Sequence, residues 1–249
     1  MSRYEEFAPH AALAEHVACT WVGAIDDHVG YTDRVLPDGC LDIVWDGVRL
    51  QVAGPDTGPV PIAPRPGLTF VGIRFRPGRA PVHLGLSAAE LVDLRVSLAD
   101  LWGAGPAGAL AERLVAATTA EAATHIHERA LLERLPDAQP ADPLVATVVD
   151  TLTRGSAGAG IVATLARRLD VSERHLHRRC TAAVGYGPKT LDRILRFRRA
   201  LGMAGHAAGD RLGLAALAAH AGYADQAHLT RECGRLAGLH PSDLFKTRS

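Results

Sequence analysis

The chain has 249 residues, of which 47% are hydrophobic, so it is long enough to form two domains with separate cores. It has no apolar run long enough to span a membrane, and its first seven residues are polar and acidic. Neither a membrane span nor a signal peptide is therefore expected, and the protein is predicted to be cytoplasmic. The net charge of zero hides a division, because residues 1–141 have 11 Lys and Arg against 18 Asp and Glu, whereas residues 142–249 have 16 against 9.

The first half of the chain is predicted to be rich in strands. A short helix is expected within residues 10–19 from the spacing of its apolar positions. Asp46-Gly47 is a favoured hairpin turn, and the Gly- and Pro-rich residues 54–67 are expected to form an extended loop. The expected strands are residues 34–36, 40–45, 48–52 and 69–75.

From Ser87 onwards the apolar period becomes helical. Ser87 and Glu90 have the spacing of a capping box, and leucines at 91, 94 and 98 follow. After a Gly-rich interruption, helices are expected at residues 109–118 and 120–135. The apolar stripe of the second helix has no obvious partner other than the first helix and a second copy of the chain. A homodimer through residues 109–135 is therefore predicted.

Candidate chemical groups in this half are few. His16 with Cys19, and His125 with His127, have ligand-like spacing, but zinc needs four convergent ligands, so no metal site is expected. The four cysteines are expected to be free thiols. The carboxylates that flank Cys40, Asp38 and Asp42, would raise its pKa, which argues against a nucleophile. Asp38 and Asp42 also form a possible acid–base pair, although turn capping accounts for Asp38. We predict no catalytic residue, no cofactor and no enzymatic activity.

Residues 136–143 contain three prolines and are expected to be a semi-rigid linker between domains at residues 1–135 and 144–249. The second of these parts carries the positive charge, and charge of this sign favours contact with nucleic acid.

A repeat lies within this basic part. His175, Leu176, Arg178 and Cys180 recur 53 positions later, whereas the preceding Leu-Ala pair, from Leu165, recurs at 52. The second copy is therefore expected to have one extra residue in its turn. Each copy predicts a helix, a tight turn and a second helix, capped by Ser172 or Asp225. Pro188 begins a helix that joins the two copies.

The second helix of each copy has an apolar back and a polar front. Arg, His, Gln and Thr side chains match base edges in the DNA major groove, whereas a solvated polar face would account for one such helix alone. Two copies in the same register favour a pair of DNA-binding helix-turn-helix units. The expected base-contacting residues are Arg174, His177, Arg178, Gln226, Ala227, Thr230 and Arg231. The expected phosphate-contacting residues are Arg167, Ser172, Lys189, Arg193 and Arg196, although Arg193 and Arg196 also suit a solvated face.

The stretch from Leu165 to Phe245 resembles the DNA-binding domain of the AraC/XylS family of transcription regulators. The residues that carry the resemblance are 165–169, 171–178, 185–188, 221–226, 228–231 and 238–242. The sequence departs from the family at Cys180, Cys233 and Tyr223, where Phe is usual, and at Gly187, where Ser is usual. Pro-Asp-Gly-Cys at 37–40, Asp42 and the run at 72–78 resemble an uncharacterised, cupin-like sensor domain of such regulators.

The resemblance implies an α+β protein with a cupin-like, β-rich N-terminal domain that carries two or three helices and serves for sensing and dimerisation. An all-α domain of two helix-turn-helix units joined by a linker helix follows. The implied function is a sequence-specific transcription regulator under the control of a small ligand, which binds double-stranded operator DNA, and RNA polymerase if it activates. Its ligand-binding residues are not indicated. One alternative is a ligand-independent dimeric regulator. Another is a DNA alkylation-response protein, whose four zinc-binding cysteines are not matched by Cys19 and Cys40 alone.

Overall fold

The computed structural model describes residues 3–24, 34–62, 67–135, 140–155, 160–205 and 213–246. Within them, a half built on an antiparallel sheet precedes an all-helical half, and each has its own apolar core. The α+β class is confirmed. None of the helices in these ranges has both the length and the hydropathy that a membrane crossing needs.

The N-terminal half is organised on one six-stranded sheet. Its strands are β1 (Arg3–Phe7), β2 (Val17–Ala24), β4 (Asp42–Trp45), β5 (Leu50–Ala53), β7 (Thr69–Phe75) and β8 (Arg95–Ser97). They are antiparallel neighbours in the order β1-β2-β7-β4-β5-β8. Two short strands, β3 (Arg34–Val35) and β6 (Val60–Pro61), pair separately. Alternation along β4 and β7 buries Ile43, Ile73 and Phe75 in the core.

The strand prediction for residues 69–75 and the hairpin at Asp46-Gly47 are confirmed. The helix expected within residues 10–19 is wrong. Only one 3-10 turn forms there, Ala11–Leu13, and β2 begins at Val17 because its side chain is buried against the sheet. Strands β1, β2 and β8 were not expected.

Four helices accompany the sheet: α1 (Pro81–Leu84), α2 (Leu98–Trp102), α3 (Ala104–Val115) and α4 (Ala120–Arg134). The capping box of Ser87 and Glu90 forms, but it caps a single 3-10 turn, Ala88–Glu90. The longer helix expected there is wrong, because Asp93 adopts φ 58° and the chain then enters β8. Helix α3 begins before the expected residue 109, within the Gly-rich stretch.

Helix α4 packs across β7 and β2 of the same chain. Its Ala130 and Leu131 are buried and Ile126 is partly buried against this core. The stripe that motivated the dimer prediction is therefore covered within one protomer. The homodimer stays a prediction, without that support.

The C-terminal half has seven helices among the described residues. They are α5 (Pro143–Thr153), α6 (Ile161–Arg168), α7 (Glu173–Val184), α8 (Pro188–Ala204), α9 (Leu214–Ala221), α10 (Gln226–Ala237) and α11 (Pro241–Lys246). Asp142 caps α5 by accepting a hydrogen bond from the Leu144 amide at 3.0 Å. Residues 136–139 of the expected linker lie outside the described residues.

The two halves pack on each other. Leu36 of the N-terminal half is buried in the C-terminal core. A Cβ added to Gly39 would lie 3.1 Å from Cδ1 of Leu191 on α8, and one added to Gly78 would lie 3.1 Å from Cγ1 of Val145 on α5. The turns of the 37–40 and 72–78 motifs therefore face the helix-turn-helix half.

Candidate nucleic-acid interface

The two helix-turn-helix units end their first helices in the same way. The Val171 amide donates to the Ala166 carbonyl at 3.0 Å, and the Tyr223 amide donates to the Ala218 carbonyl at 2.8 Å. These pairs are related by the offset of 52. Just before them, Asp170 has φ 52° and Gly222 has φ 85°, so both chains turn through the left-handed region.

The second helices begin with equivalent caps. The Ser172 Oγ accepts from the His175 amide at 3.1 Å, and the Asp225 Oδ1 accepts from the His228 amide at 2.6 Å. These pairs follow the offset of 53, so the extra residue of the second unit is Ala224. The prediction of one extra residue in that turn is confirmed.

The buried faces of α7 and α10 have apolar centres, with Leu176 and Cys180 on one and Leu229 and Cys233 on the other at 0% exposure. Both thiols are free, and burial raises the pKa of each to about 12. They are therefore unreactive fillers of the two cores, at the positions where a larger Phe is usual in the family.

The opposite faces point outwards. Arg178 and Arg231 are each the sixth residue of their helix, and both are exposed. Nη2 of Arg178 lies 3.2 Å from Nδ1 of His175, which orients the guanidinium. The other expected base-contacting residues are exposed too, except Thr230, which is half-buried: Arg174, His177, Gln226 and Ala227. The hydroxyl of Thr230 donates to the Gln226 carbonyl at 2.9 Å.

Gly187 has a role that its sequence context did not indicate. A Cβ at this position would lie 2.4 Å from Cδ2 of the His177 imidazole. The imidazole thus occupies the space that the usual Ser side chain would need. This departure from the family pattern leaves room for the imidazole of His177 to lie against Gly187, beside the exposed face of α7.

The expected phosphate-contacting residues divide into two groups. Arg167 and Lys189 are exposed, and Ser172 is the cap of α7. Arg193, by contrast, donates from Nε to Glu232 Oε2 at 2.9 Å, and the Glu232 side chain is only 8% exposed. Arg196 pairs with Asp192 and is 14% exposed. These two contacts favour a structural role for Arg193 and Arg196.

Comparison with known proteins agrees with this geometry. Residues 165–247 match a helix-turn-helix domain family, and residues 5–97 match a domain of unknown function, DUF6597. A protein of Streptomyces antibioticus described as a "Putative AraC-like transcription regulator" is 36% identical over 121 residues. These residues are 46% of this chain and 39% of that relative, so the chain spans about two fifths of its length. The C-terminal domain is an AraC-type helix-turn-helix domain. The family resemblance is thereby confirmed.

Two solved structures of ToxT from Vibrio cholerae are also similar. The apo form is 11% identical with a TM-score of 0.44, covering 100% of this chain and 97% of that one. The form bound to an unsaturated fatty acid is 9% identical with a TM-score of 0.43, covering 98% and 94%. TM-scores of this size do not establish a common fold.

In the half that precedes the AraC-type domain, the carboxylates that flank Cys40 have structural partners. The Cys40 amide donates to Asp38 Oδ1 at 2.9 Å, so Asp38 caps its turn. Asp42 accepts from Nε and Nη2 of Arg74 at 3.1 and 3.0 Å. Burial, and then Asp38, raises the pKa of the Cys40 thiol well above its usual range. Among the residues that the structure describes, no three His, Cys, Asp or Glu are placed to hold a metal ion.

Proposed function

We propose that this chain is a sequence-specific transcription regulator that reads one asymmetric operator in double-stranded DNA with both α7 and α10. The observation that carries the proposal is the equivalence of Arg178 and Arg231, which stand at the same distance from their caps on two exposed faces. Base contacts in helix-turn-helix proteins come from the N-terminal part of the recognition helix. Both helices present polar side chains there.

The joining helix suits this reading. Helix α8 has 17 residues, which corresponds to a length of about 25 Å at ~1.5 Å per residue. A strut of this length holds two recognition helices on one face of DNA, in major-groove segments about 34 Å apart. Each arginine then reads a separate half of the site, most simply a guanine. Arg167, Ser172 and Lys189 are the proposed phosphate contacts.

Binding-site selection on Arg178→Ala and Arg231→Ala tests the proposal. Each variant is expected to lose about 1–3 kcal/mol of base discrimination, at separate positions about one helical turn apart. Arg154→Ala is the matched control, because Arg154 is an exposed arginine that directly follows α5 and pairs with Asp150. The two-reader model is wrong if both variants relax the same base pair, or if neither relaxes any.

Control by a small molecule is a further part of the proposal. The N-terminal half has an open groove of about 490 Å³ between β5, β8 and α3, lined by Arg49, Gln51, Arg95, Ser97 and small residues of α3. A pocket with a few polar groups among apolar ones suits a small ligand. Native mass spectrometry of the protein as purified tests this. A bound mass supports an effector, whereas an empty protein that binds its operator at full strength supports the ligand-independent alternative.

Assembly and downstream partners complete the proposal. A homodimer through residues 109–135 is expected, with RNA polymerase as a partner if the protein activates. Exposed Val115, at 69%, lies at the end of α3 in that region. Analytical ultracentrifugation at tens of micromolar, with and without operator DNA, tests the dimer. A monomer in both conditions would exclude it.

A further inference from the structure

The C-terminal ends of both recognition helices are covered by the N-terminal half of the chain. Helix α7 is capped at its C-terminus by Gly185, with φ 99°, and α10 by the equivalent Gly238, with φ 66°. A Cβ at Gly185 would lie 2.5 Å from Cγ of Pro55, and one at Gly238 would lie 3.5 Å from Cγ of Pro59. One loop, residues 54–59, therefore touches the ends of both helices.

Hydrogen bonds accompany these contacts at each end. The Ser87 hydroxyl donates to the Ala182 carbonyl of α7 at 3.1 Å. Nη1 of Arg34 donates to the Ala237 carbonyl of α10 at 2.7 Å. The last carbonyls of a helix lack partners within the helix, and a cation there also complements the helix dipole. The N-terminal half thus binds each recognition helix through groups that the helix itself leaves unsatisfied.

The loop between the two contacts is held rigidly. Asp56 accepts from Nη1 and Nη2 of Arg95, both at 2.8 Å, and its side chain is 6% exposed. The amide and the hydroxyl of Thr57 donate to the two oxygens of Asp93, both at 2.7 Å. Every contact in this set joins the loop to the neighbouring segment at residues 93–95. A loop held in this way keeps Pro55 and Pro59, which contact α7 and α10 respectively, at a fixed distance from each other.

The DNA-reading ends of the helices are not involved in these contacts. The two arginines proposed to read bases, Arg178 and Arg231, lie within the first two turns of their helices, whereas the loop meets the last turn of each helix. A contact at the C-terminal end of each helix leaves the reading faces open. It is therefore suited to hold the helices in place, and it does not cover the face that would meet DNA.

We propose that residues 54–59, together with Arg34 and Ser87, form a spacer that sets the separation and relative orientation of the two recognition helices. The N-terminal half is then a determinant of the half-site spacing that the full chain accepts. This inference rests on the proposed function, because spacing has a meaning only if both helices read one site. One added base pair moves the second half-site about 3.4 Å along the DNA axis and rotates it about that axis. Two recognition helices held at a fixed separation cannot bind both half-sites after this change.

The spacer is tested on the full-length chain with the site that wild-type protein selects from random DNA. The binding constant is measured for that site and for versions with one base pair added or removed between the half-sites. The variants are Arg34→Met, which removes one donor to α10, and Pro55→Gly with Pro59→Gly, which loosens the loop. Arg76→Met is the matched control, because Arg76 donates to the Ala14 carbonyl at 2.8 Å within the N-terminal half.

Wild type and Arg76→Met are expected to bind the altered spacings about tenfold more weakly, or worse, a loss of the size of a mismatched base pair. In both test variants, the loss of affinity for the altered spacings should fall to about threefold or less. Arg34→Met loses a charge-assisted hydrogen bond, and the double proline variant loses loop rigidity. Arg34→Met removes a single contact and provides a folded variant if the double variant is unstable. An undiminished penalty in Arg34→Met overturns the spacer alone. A wild-type protein that selects no paired site overturns the proposed function as well.

Discussion

Gly222 and Gly234 of the second unit have opposite conformational demands. Gly222 has φ 85°, a region where an L-residue is strained, and a Cβ there would meet only Cδ of Arg196 at 4.0 Å. Gly234 lies within α10, and a Cβ there would meet nothing within 4 Å. Neither site has a steric clash with a Cβ. Substitution by Ala therefore measures the cost of the left-handed backbone conformation at Gly222 and the gain in helix propensity at Gly234.

We expect Gly222→Ala to lower the free energy of unfolding by about 1–2 kcal/mol, the cost of the left-handed conformation. Gly234→Ala should raise it by about 0.5–1 kcal/mol, because glycine is a poor helix former. Urea unfolding followed by circular dichroism measures both. Equal effects at the two positions would contradict the turn geometry described for the second unit.

Between elements, the ion pair of Arg193 and Glu232 joins the linker helix α8 to the recognition helix α10. Arg193 is 28% exposed and Glu232 is 8% exposed, so the carboxylate is the more costly group to leave unpaired. Arg235 lies 3.6 Å from the other oxygen of Glu232, but its side chain is 63% exposed. The pair therefore contributes to the placement of α10.

Arg193→Met is expected to lower the free energy of unfolding by about 1–3 kcal/mol in the absence of DNA, because it leaves Glu232 buried with a weaker partner. Arg154→Met, which breaks an exposed pair at the C-terminal end of α5, should cost about 0.5 kcal/mol or less. Thermal unfolding without DNA compares them. If Arg193→Met has unchanged stability and its DNA binding depends less steeply on salt, the contact of Arg193 with phosphate that the sequence predicts would be supported instead.

For the whole molecule, the buried histidines couple stability to pH. The ring of His83 stacks on Phe75, with centroids 5.3 Å apart, and meets the ring of His16 edge-on at 4.7 Å. Burial, assisted by His16 and Arg134, lowers the pKa of His83 to about 4. Burial also lowers the pKa of His127 to about 4. Both imidazoles are therefore neutral in the folded protein near pH 7.

A histidine whose pKa is lower in the folded than in the unfolded state binds its proton preferentially when unfolded. Stability is then retained above pH 6.5 and is lost as the pH falls from 6.5 towards 4, by up to about 3 kcal/mol for each such group. His83→Phe should reduce this loss, because it removes one titrating group and keeps a ring on Phe75. Urea unfolding at pH 7 and pH 5 measures the change. The exposed His220→Phe is the control and should follow wild type; an identical loss in His83→Phe would exclude this coupling.

Several features follow from the sequence alone because the interactions behind them are local. Ser172 and Asp225 accept from amides three residues away, so a cap and the apolar spacing after it define α7 and α10 without reference to the rest of the chain. The repeat places Arg178 and Arg231 at equivalent positions for the same reason. The extra residue of the second turn could likewise be read from the change of offset.

Other features depend on contacts between residues far apart in the chain, where a short window of sequence carries no signal. Arg193 binds Glu232, which lies 39 positions away in the chain. Its side chain therefore has a structural role, although its helix alone suggested a cation free to contact phosphate. Strand β8 exists because β5 offers it an edge, which overrides the helical spacing of the leucines around it. The contact of Arg34 with the end of α10 spans 203 positions. The contacts of the N-terminal half with both recognition helices therefore depend on the tertiary structure, which brings together residues that are far apart in the chain.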